Sequence, residues 1–177
     1  RLSALVVAHN EETQLGDCLD TLGFADEIVV VLDKCTDRSK EIAARYTDRL
    51  VEGAWDIEGD RRNTGIAACH GAWILEVDAD ERVTPELAGE IRETIASDDD
   101  GYFLIPFDNY IGTRRVRYGW GASWGVSAAP RLFRAGCKEW GNQRVHPALT
   151  LRGPKGRLTN RMVHYVDRNI SDMIHRL

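Results

Sequence analysis

The first hundred residues alternate between two hydrophobic periods, and that alternation limits the fold more than any other feature. Leu2–Ala8 and Glu27–Leu32 are short, nearly uninterrupted apolar runs, the pattern of strands covered on both faces. Between them Leu15, Cys18, Leu19 and Leu22 recur at i, i+3, i+4 and i+7, which is one face of a helix. Asn10 is the expected N-cap of that helix, and Glu11 and Glu12 suit its positive end. Thr36 or Asp37 is placed to cap a second helix carrying Ile42, Ala43 and Tyr46, followed by a short strand at Arg49–Val51. Gly59–His70 reads as a helix stopped by Gly71, and Ala72–Val77 as a fourth strand. Thr84-Pro85-Glu86 opens another helix, with Leu87, Ile91 and Ile95 on its inner face. Strand–helix alternation of this kind predicts an α/β fold, a mostly parallel sheet with helices on both faces.

The second part of the 177-residue chain reads differently. Gly101–Phe107, Arg131–Arg134 and Arg144–Leu151 suggest strands, Gly112–Ala129 has no clean period, and Ile170, Met173, Ile174 and Leu177 suggest a terminal helix. Charge divides the same way. Residues 1–100 hold 10 basic and 24 acidic side chains, a net of −14, and residues 101–177 hold 13 and 4, a net of +9. We read one domain over 1–177, with a first half suited to a cation and a basic second half suited to phosphate or an anionic membrane surface. The longest apolar runs fall far short of the about 20 residues that cross a bilayer, and no signal peptide is visible, so a cytoplasmic protein, peripheral on the inner membrane face at most, is expected. Cys18, Cys35, Cys69 and Cys137 form no CxxC pair and are expected to be reduced thiols. A pI near 5.6 and the lack of nucleic-acid-binding motifs argue against a nucleic-acid partner.

Three polar clusters fall at predicted strand ends: His9-Asn10-Glu11, Asp33 with Asp37, and Asp78-Ala79-Asp80. Parallel sheets bind ligands at those ends. Two carboxylates leaving a buried strand at i and i+2 suit a hard divalent cation such as Mn²⁺ or Mg²⁺ together with its phosphate oxygens. Arg114, Arg115, Arg117, Tyr118, Trp120 and Trp124 form a basic and aromatic block. Aromatic faces stack on sugar rings and Arg binds phosphate by paired hydrogen bonds, so this block is the candidate acceptor site, with Arg114, Arg115, Trp120 and Trp124 foremost.

Leu5-Val6-Val7-Ala8-His9-Asn10-Glu11-Glu12, Glu27–Ser39, Arg62-Asn63 and Asp78-Ala79-Asp80-Glu81-Arg82, in that order and spacing, resemble the family 2 glycosyltransferases of GT-A fold. The likeness is nearer to the lipopolysaccharide-core glucosyltransferase branch and continues through Arg131-Leu132-Phe133-Arg134, Arg144-Val145-His146 and His164-Tyr165. It implies a GT-A, Rossmann-like sheet with a smaller acceptor-side region. It also implies an inverting transfer from a nucleotide sugar, UDP-linked by this reading, to a glycan or lipid-linked acceptor of surface polysaccharide or lipopolysaccharide. By the same likeness Val7, His9, Glu11 and Asp33 hold base and ribose, and Arg62 lies near the nucleotide. Asp80 ligates the metal, Asp78 reaches the ribose or the metal, and His164 is a late metal ligand. The family more often has Tyr at the place of His9, and commonly has two Asp where this chain has Leu32-Asp33. An inverting transfer needs a general base, usually from the second half. Of the four acids there, Asp108, Glu139, Asp167 and Asp172, we take Glu139 first. A nucleotidyltransferase acting on sugar phosphates and a degenerate, binding-only module stay open as alternatives.

Overall fold

The computed structural model describes residues 1–97, 100–116, 127–144 and 147–167. In chain order the elements are β1 Leu2–Ala8, α1 Leu15–Asp20, β2 Glu27–Asp33, α2 Ser39–Ala43, β3 Leu50–Gly53, α3 Glu58–Ala68, β4 Trp73–Asp78, β5 Glu81–Arg82 and α4 Pro85–Ser97. The second half adds β6 Tyr102–Ile111, β7 Arg114–Arg115, β8 Ala128–Arg134, β9 Lys138–Trp140, β10 Leu149–Leu151, β11 Lys155–Arg157 and β12 Met162–Asp167.

One sheet runs β3-β2-β1-β4-β8-β6-β12-β5, with β7 and β11 also paired to β6, and β9 and β10 form a separate antiparallel pair. The first four strands are parallel. β8 then runs antiparallel to both β4 and β6, while β12 returns parallel to β6. The chain leaves β1 in one direction to reach β2 and β3, then crosses back to lay β4 on its other side. That reversal opens a crevice at the carboxyl ends of β1 and β4, where Val7 sits beside Asp78 in the register.

β1 shows why its sequence has no polar face. Ala4, Val6 and Ala8 join a core with Leu15, Cys18, Leu19, Leu87 and Ile91 from α1 and α4. Leu5 and Val7 face the other way, into a smaller cluster with Ile66 of α3 and Phe133 of β8. Thr84 and Pro85 start α4 as expected, with the Leu87 N–H donating to Thr84 Oγ1 at 3.2 Å.

The region after β1 departs from expectation. α1 begins only at Leu15, and Asn10 lies in the left-handed region at φ 56° instead of capping it. Asn10 Oδ1 instead accepts the Thr36 N–H at 2.8 Å, and Asp37 accepts the N–H groups of Glu12 (2.9 Å) and Ser39 (3.0 Å). The two loops at the ends of β1 and β2 therefore satisfy one another, and this crosslink outcompetes a local cap. Asp37 sits one residue before the N-cap position of α2, which is Arg38. Of the expected strand over Arg144–Leu151, the described residues form a strand at Leu149–Leu151, and the expected terminal helix lies outside the described residues.

Helix α3 packs on β9 at close range. A Cβ added at Gly59 would lie 1.9 Å from the Gly141 carbonyl oxygen. The Asn63 side chain closes the same contact, donating to Trp140 O (2.8 Å) and accepting the Trp140 N–H (2.9 Å). Gly59→Ala should therefore lift α3 from β9 and cost about 1–3 kcal/mol, the range for overpacking, despite the better helix propensity of Ala. Urea unfolding monitored by circular dichroism checks this; an unchanged or raised midpoint would contradict the close packing.

Candidate active site

A cleft of about 270 Å³ opens where β1, β4, β12 and the start of α3 converge. Val7, His9 and Glu11 line it from the end of β1, Asp78, Ala79, Asp80 and Glu81 from the end of β4, and Arg61 and Arg62 from α3. Phe107, Arg131 and His164 close the far side. Residues spread over 158 positions thus meet at one crevice because the sheet order places their strand ends together.

Asp33 ends β2 as a buried carboxylate. It accepts the Trp55 N–H at 3.0 Å and Arg61 Nη1 at 2.9 Å. His9 Nδ1 lies 2.7 Å from the Asp33 carbonyl oxygen. A carbonyl only accepts, so Nδ1 carries the proton, and a neutral ring presents Nε2 as an acceptor. The ring itself is exposed, held as a shelf beside the β2 end.

Adjacent positions on a helix point about 100° apart, and Arg61 and Arg62 diverge accordingly. Arg61 goes to Asp33. Arg62 goes to Glu58 (2.9 Å), Glu76 and Asp78 (3.1 Å), and stacks over Trp140 with its guanidinium carbon 5.0 Å from the ring centroid. Sequence reasoning set Arg62 near the nucleotide and passed over Arg61; the only signal for the latter was its place beside Arg62 on the helix face.

Beneath the cleft lies a buried ionic network. Glu76, fully buried in β4, is held by Arg62 and by Lys138 Nζ, which also donates to the Pro130 carbonyl at 2.9 Å. Burial opposes the Glu76 carboxylate, but Lys138, Arg62 and Arg131 prevail and keep its pKa below the usual value. For Lys138 the balance runs the other way, since burial outweighs Glu76 and lowers its pKa. Arg131 bridges Asp78 and Glu81. Burial resists the Asp78 charge, yet Arg131 and Arg62 hold its carboxyl well below the usual range. Burial dominates at Glu81, with Arg131 opposing and the Asp78 charge adding, so its pKa is pushed up to about 7. Sequence reasoning assigned no role to Glu81, Arg131 or Lys138; nothing in a β-strand pattern marks a charged residue as inward-facing.

Asp80 is the carboxylate of this group with a different partner. His164 Nε2 lies 3.4 Å from it, and His164 Nδ1 lies 2.9 Å from Asn109 Oδ1. The strand register explains the meeting. β12 lies between β5 and β6, so His164 faces Glu81 on one side and Asn109 on the other, and the Tyr165 N–H donates to Asp80 O. Burial lowers the imidazole pKa, but the Asp80 carboxylate more than offsets it and the net shift is upward. Oxygens of Asp78, Asp80 and Glu81 lie within 4.8 Å of one another. This oxygen-rich set with an adjacent imidazole suits a hard or borderline divalent ion, and Asp80 is the member that no guanidinium engages in the contacts described.

The second-half candidates are not gathered here. Glu139 is exposed on β9, pairs with Arg152 at 3.0 Å and does not line the cleft. Strand alternation explains this: Lys138 faces inward, so Glu139 faces out. Asp108 is ion-paired with Arg115 and with Arg161 (2.6 Å). Asp167 ends β12. Arg114 is exposed on β7, and Arg117, Tyr118, Trp120, Trp124, Val145, His146 and Asp172 lie outside the described residues.

The family model for glycosyl transferase family 2 matches residues 3–158. The chain belongs to that family. This membership decides against the nucleotidyltransferase alternative. Among curated family members, the lipopolysaccharide core biosynthesis glycosyltransferase LpsC of Rhizobium meliloti is 26% identical over 178 residues, covering 93% of this chain and 63% of its own length. The Escherichia coli glycosyltransferase YibD is 32% identical over 109 residues, 56% of this chain and 31% of its own. The chain therefore spans less than two thirds of these relatives. The fold agrees: Staphylococcus aureus TarS, solved with UDP, superposes with a TM-score of 0.68 at 16% identity, over 93% of this chain and 60% of TarS. Glucosyl-3-phosphoglycerate synthase of Mycobacterium tuberculosis, solved with Mn²⁺, UDP and phosphoglyceric acid, gives 0.50 at 20% identity, over 61% of this chain and 43% of its own. The architecture is thus that of the GT-A glycosyltransferases, a curled α/β sheet with few helices.

Proposed function

We propose that this family 2 domain transfers a hexosyl group from a UDP-linked sugar, with inversion, to a glycan or lipid-linked acceptor in lipopolysaccharide or other surface-polysaccharide synthesis. The observation that carries the proposal is the placing of Asp80 and His164 beside a half-buried Asp78 at the strand crossover, next to the His9 and Asp33 shelf. A UDP-bound and a Mn²⁺- and UDP-bound relative of the same fold support the donor and the metal, and LpsC supports the product class.

In this reading Val7, His9, Glu11 and Asp33 hold the nucleoside. Asp33 retains free lone pairs after bonding Trp55 and Arg61, and one of them accepts the uracil imide N–H. Asp80 and His164 hold Mn²⁺ or Mg²⁺, with Asp78 facing the ribose. The bound metal supplies positive charge to the departing diphosphate. Arg61 and Arg62 fix the direction of the Asp33 and Asp78 carboxylates. No helix of the described residues is long and apolar enough to cross a membrane. A membrane-borne acceptor would be met by the basic second half, through Arg114 and Arg115 together with Trp120 and Trp124 of the same sequence block.

Release of UDP from a panel of UDP-, GDP- and CDP-sugars with Mn²⁺ tests the activity. The proposal expects hydrolysis of at least one UDP-sugar; hydrolysis of only GDP- or CDP-sugars, or of none, contradicts it. Asp33→Ala should weaken UDP binding by about 1–3 kcal/mol, the cost of a lost charged hydrogen bond. Equal UDP affinity in the variant, by calorimetry, would remove Asp33 from the base site.

A further inference from the structure

Arg131 sits among the acidic strand ends. It lies on β8, its guanidinium is nine-tenths buried, and a single nitrogen, Nη2, bridges the Asp78 and Glu81 carboxylates. These are two of the three acids whose oxygens converge at the strand ends. The guanidinium carbon lies 5.7 Å from the Phe107 ring centroid, and Nε is buried with no hydrogen-bond partner among the described residues. An ion pair this deep is weak evidence of stabilisation, because desolvating both partners offsets their attraction. An orphaned donor adds to that cost. The residue also lines the cleft, together with Val7, His9 and Arg62.

We propose that Arg131 is a resident cation of the donor site, filling the space between Asp78 and Glu81 and presenting fixed positive charge to the diphosphate of a bound nucleotide. The inference rests on the nucleotide-sugar reading above and deepens it. Two consequences follow. Without any metal, the diphosphate already meets a guanidinium, which binds phosphate through directed, paired hydrogen bonds. Without any nucleotide, a divalent ion competes with Arg131 for Asp78 and Glu81, so metal alone binds weakly and the nucleotide completes the site.

The test compares the parent protein with Arg131→Gln and Arg131→Lys. Calorimetry in EDTA measures uridine and UDP, and electron paramagnetic resonance measures free Mn²⁺ in the absence of nucleotide. The parent should bind UDP at least tenfold more tightly than uridine in EDTA. Arg131→Gln should lose most of that ratio while holding uridine within about twofold, and Arg131→Lys should fall between. Mn²⁺ alone should bind Arg131→Gln at least tenfold more tightly than the parent, because two carboxylates are released. If Arg131→Gln does not fold, the double variant Arg131→Gln/Glu81→Gln removes the stranded charge, and the UDP-to-uridine ratio is read there; an unmoved ratio overturns the assignment. An unmoved ratio or an unmoved Mn²⁺ affinity in Arg131→Gln overturns it as well. A parent that binds neither uridine nor UDP, with or without Mn²⁺, instead overturns the nucleotide-sugar reading, and the inference with it.

Discussion

Asp80→Asn should lower metal-dependent turnover of a UDP-sugar by at least about a hundredfold, the scale at which losing one electrostatic contact to a transition state is felt. UDP affinity in Mn²⁺ should fall to its value in EDTA. The fold should survive, because Asp80 is half-buried in a strand-end turn and its side chain meets His164 at 3.4 Å with no guanidinium in the contacts described. Asparagine keeps the shape and one acceptor oxygen but loses the charge that a hard cation requires. Retained turnover at saturating Mn²⁺ or Mg²⁺, with an unchanged melting temperature, would remove Asp80 as principal ligand.

The second large effect concerns stability. Lys138 is 4% exposed and donates to Glu76, which is 0% exposed. Lys138→Met removes one of the two cations holding Glu76 and the hydrogen bond to the Pro130 carbonyl. Breaking a buried pair on one side costs about 3–5 kcal/mol, and Arg62 remains on Glu76, so the lower end is expected. For a chain of this size that is a fall in melting temperature of roughly 6–12 °C. The double variant Lys138→Met/Glu76→Met should recover much of the loss, since no unpaired charge is then buried. If the double variant were as unstable as the single one, the pair would be acting through packing rather than charge.

These two predictions mark the boundary of what was legible in the sequence. The parallel half was readable because buried strands and amphipathic helices write their periods locally. β1 has the expected bounds Leu2–Ala8, β4 lies within a residue of its expected ones, and α4 opens at Pro85 within the expected Thr84-Pro85-Glu86 start. The cleft position was readable for the same reason, since strand order dictates it. The charged network was not. Glu76 sits in an apolar run, and its partners Arg62 and Lys138 are 14 and 62 residues away, so only the packing of α3 and β9 under the sheet pairs them. Asn10 looked like a cap because the local pattern is a cap pattern; its true partner, Thr36, is 26 residues away. His164 lies 3.4 Å from Asp80, and the register that brings them together runs through β5 and β12, which no periodicity announces. Glu139 shows the converse: its position before Trp140 suggested a role, and the outward side of a three-residue strand placed it against Arg152 in solvent.

In the proposed donor site, nucleotide and metal bind together at the ends of β1 and β4. Calorimetric titration of UDP into the protein, with Mn²⁺ and again with EDTA, tests it most directly. The expected result is saturable, stoichiometric UDP binding that Mn²⁺ strengthens at least tenfold, and that Asp80→Asn reduces to the EDTA value. UDP affinity that is the same with Mn²⁺ and EDTA, or no UDP binding in either, would contradict it.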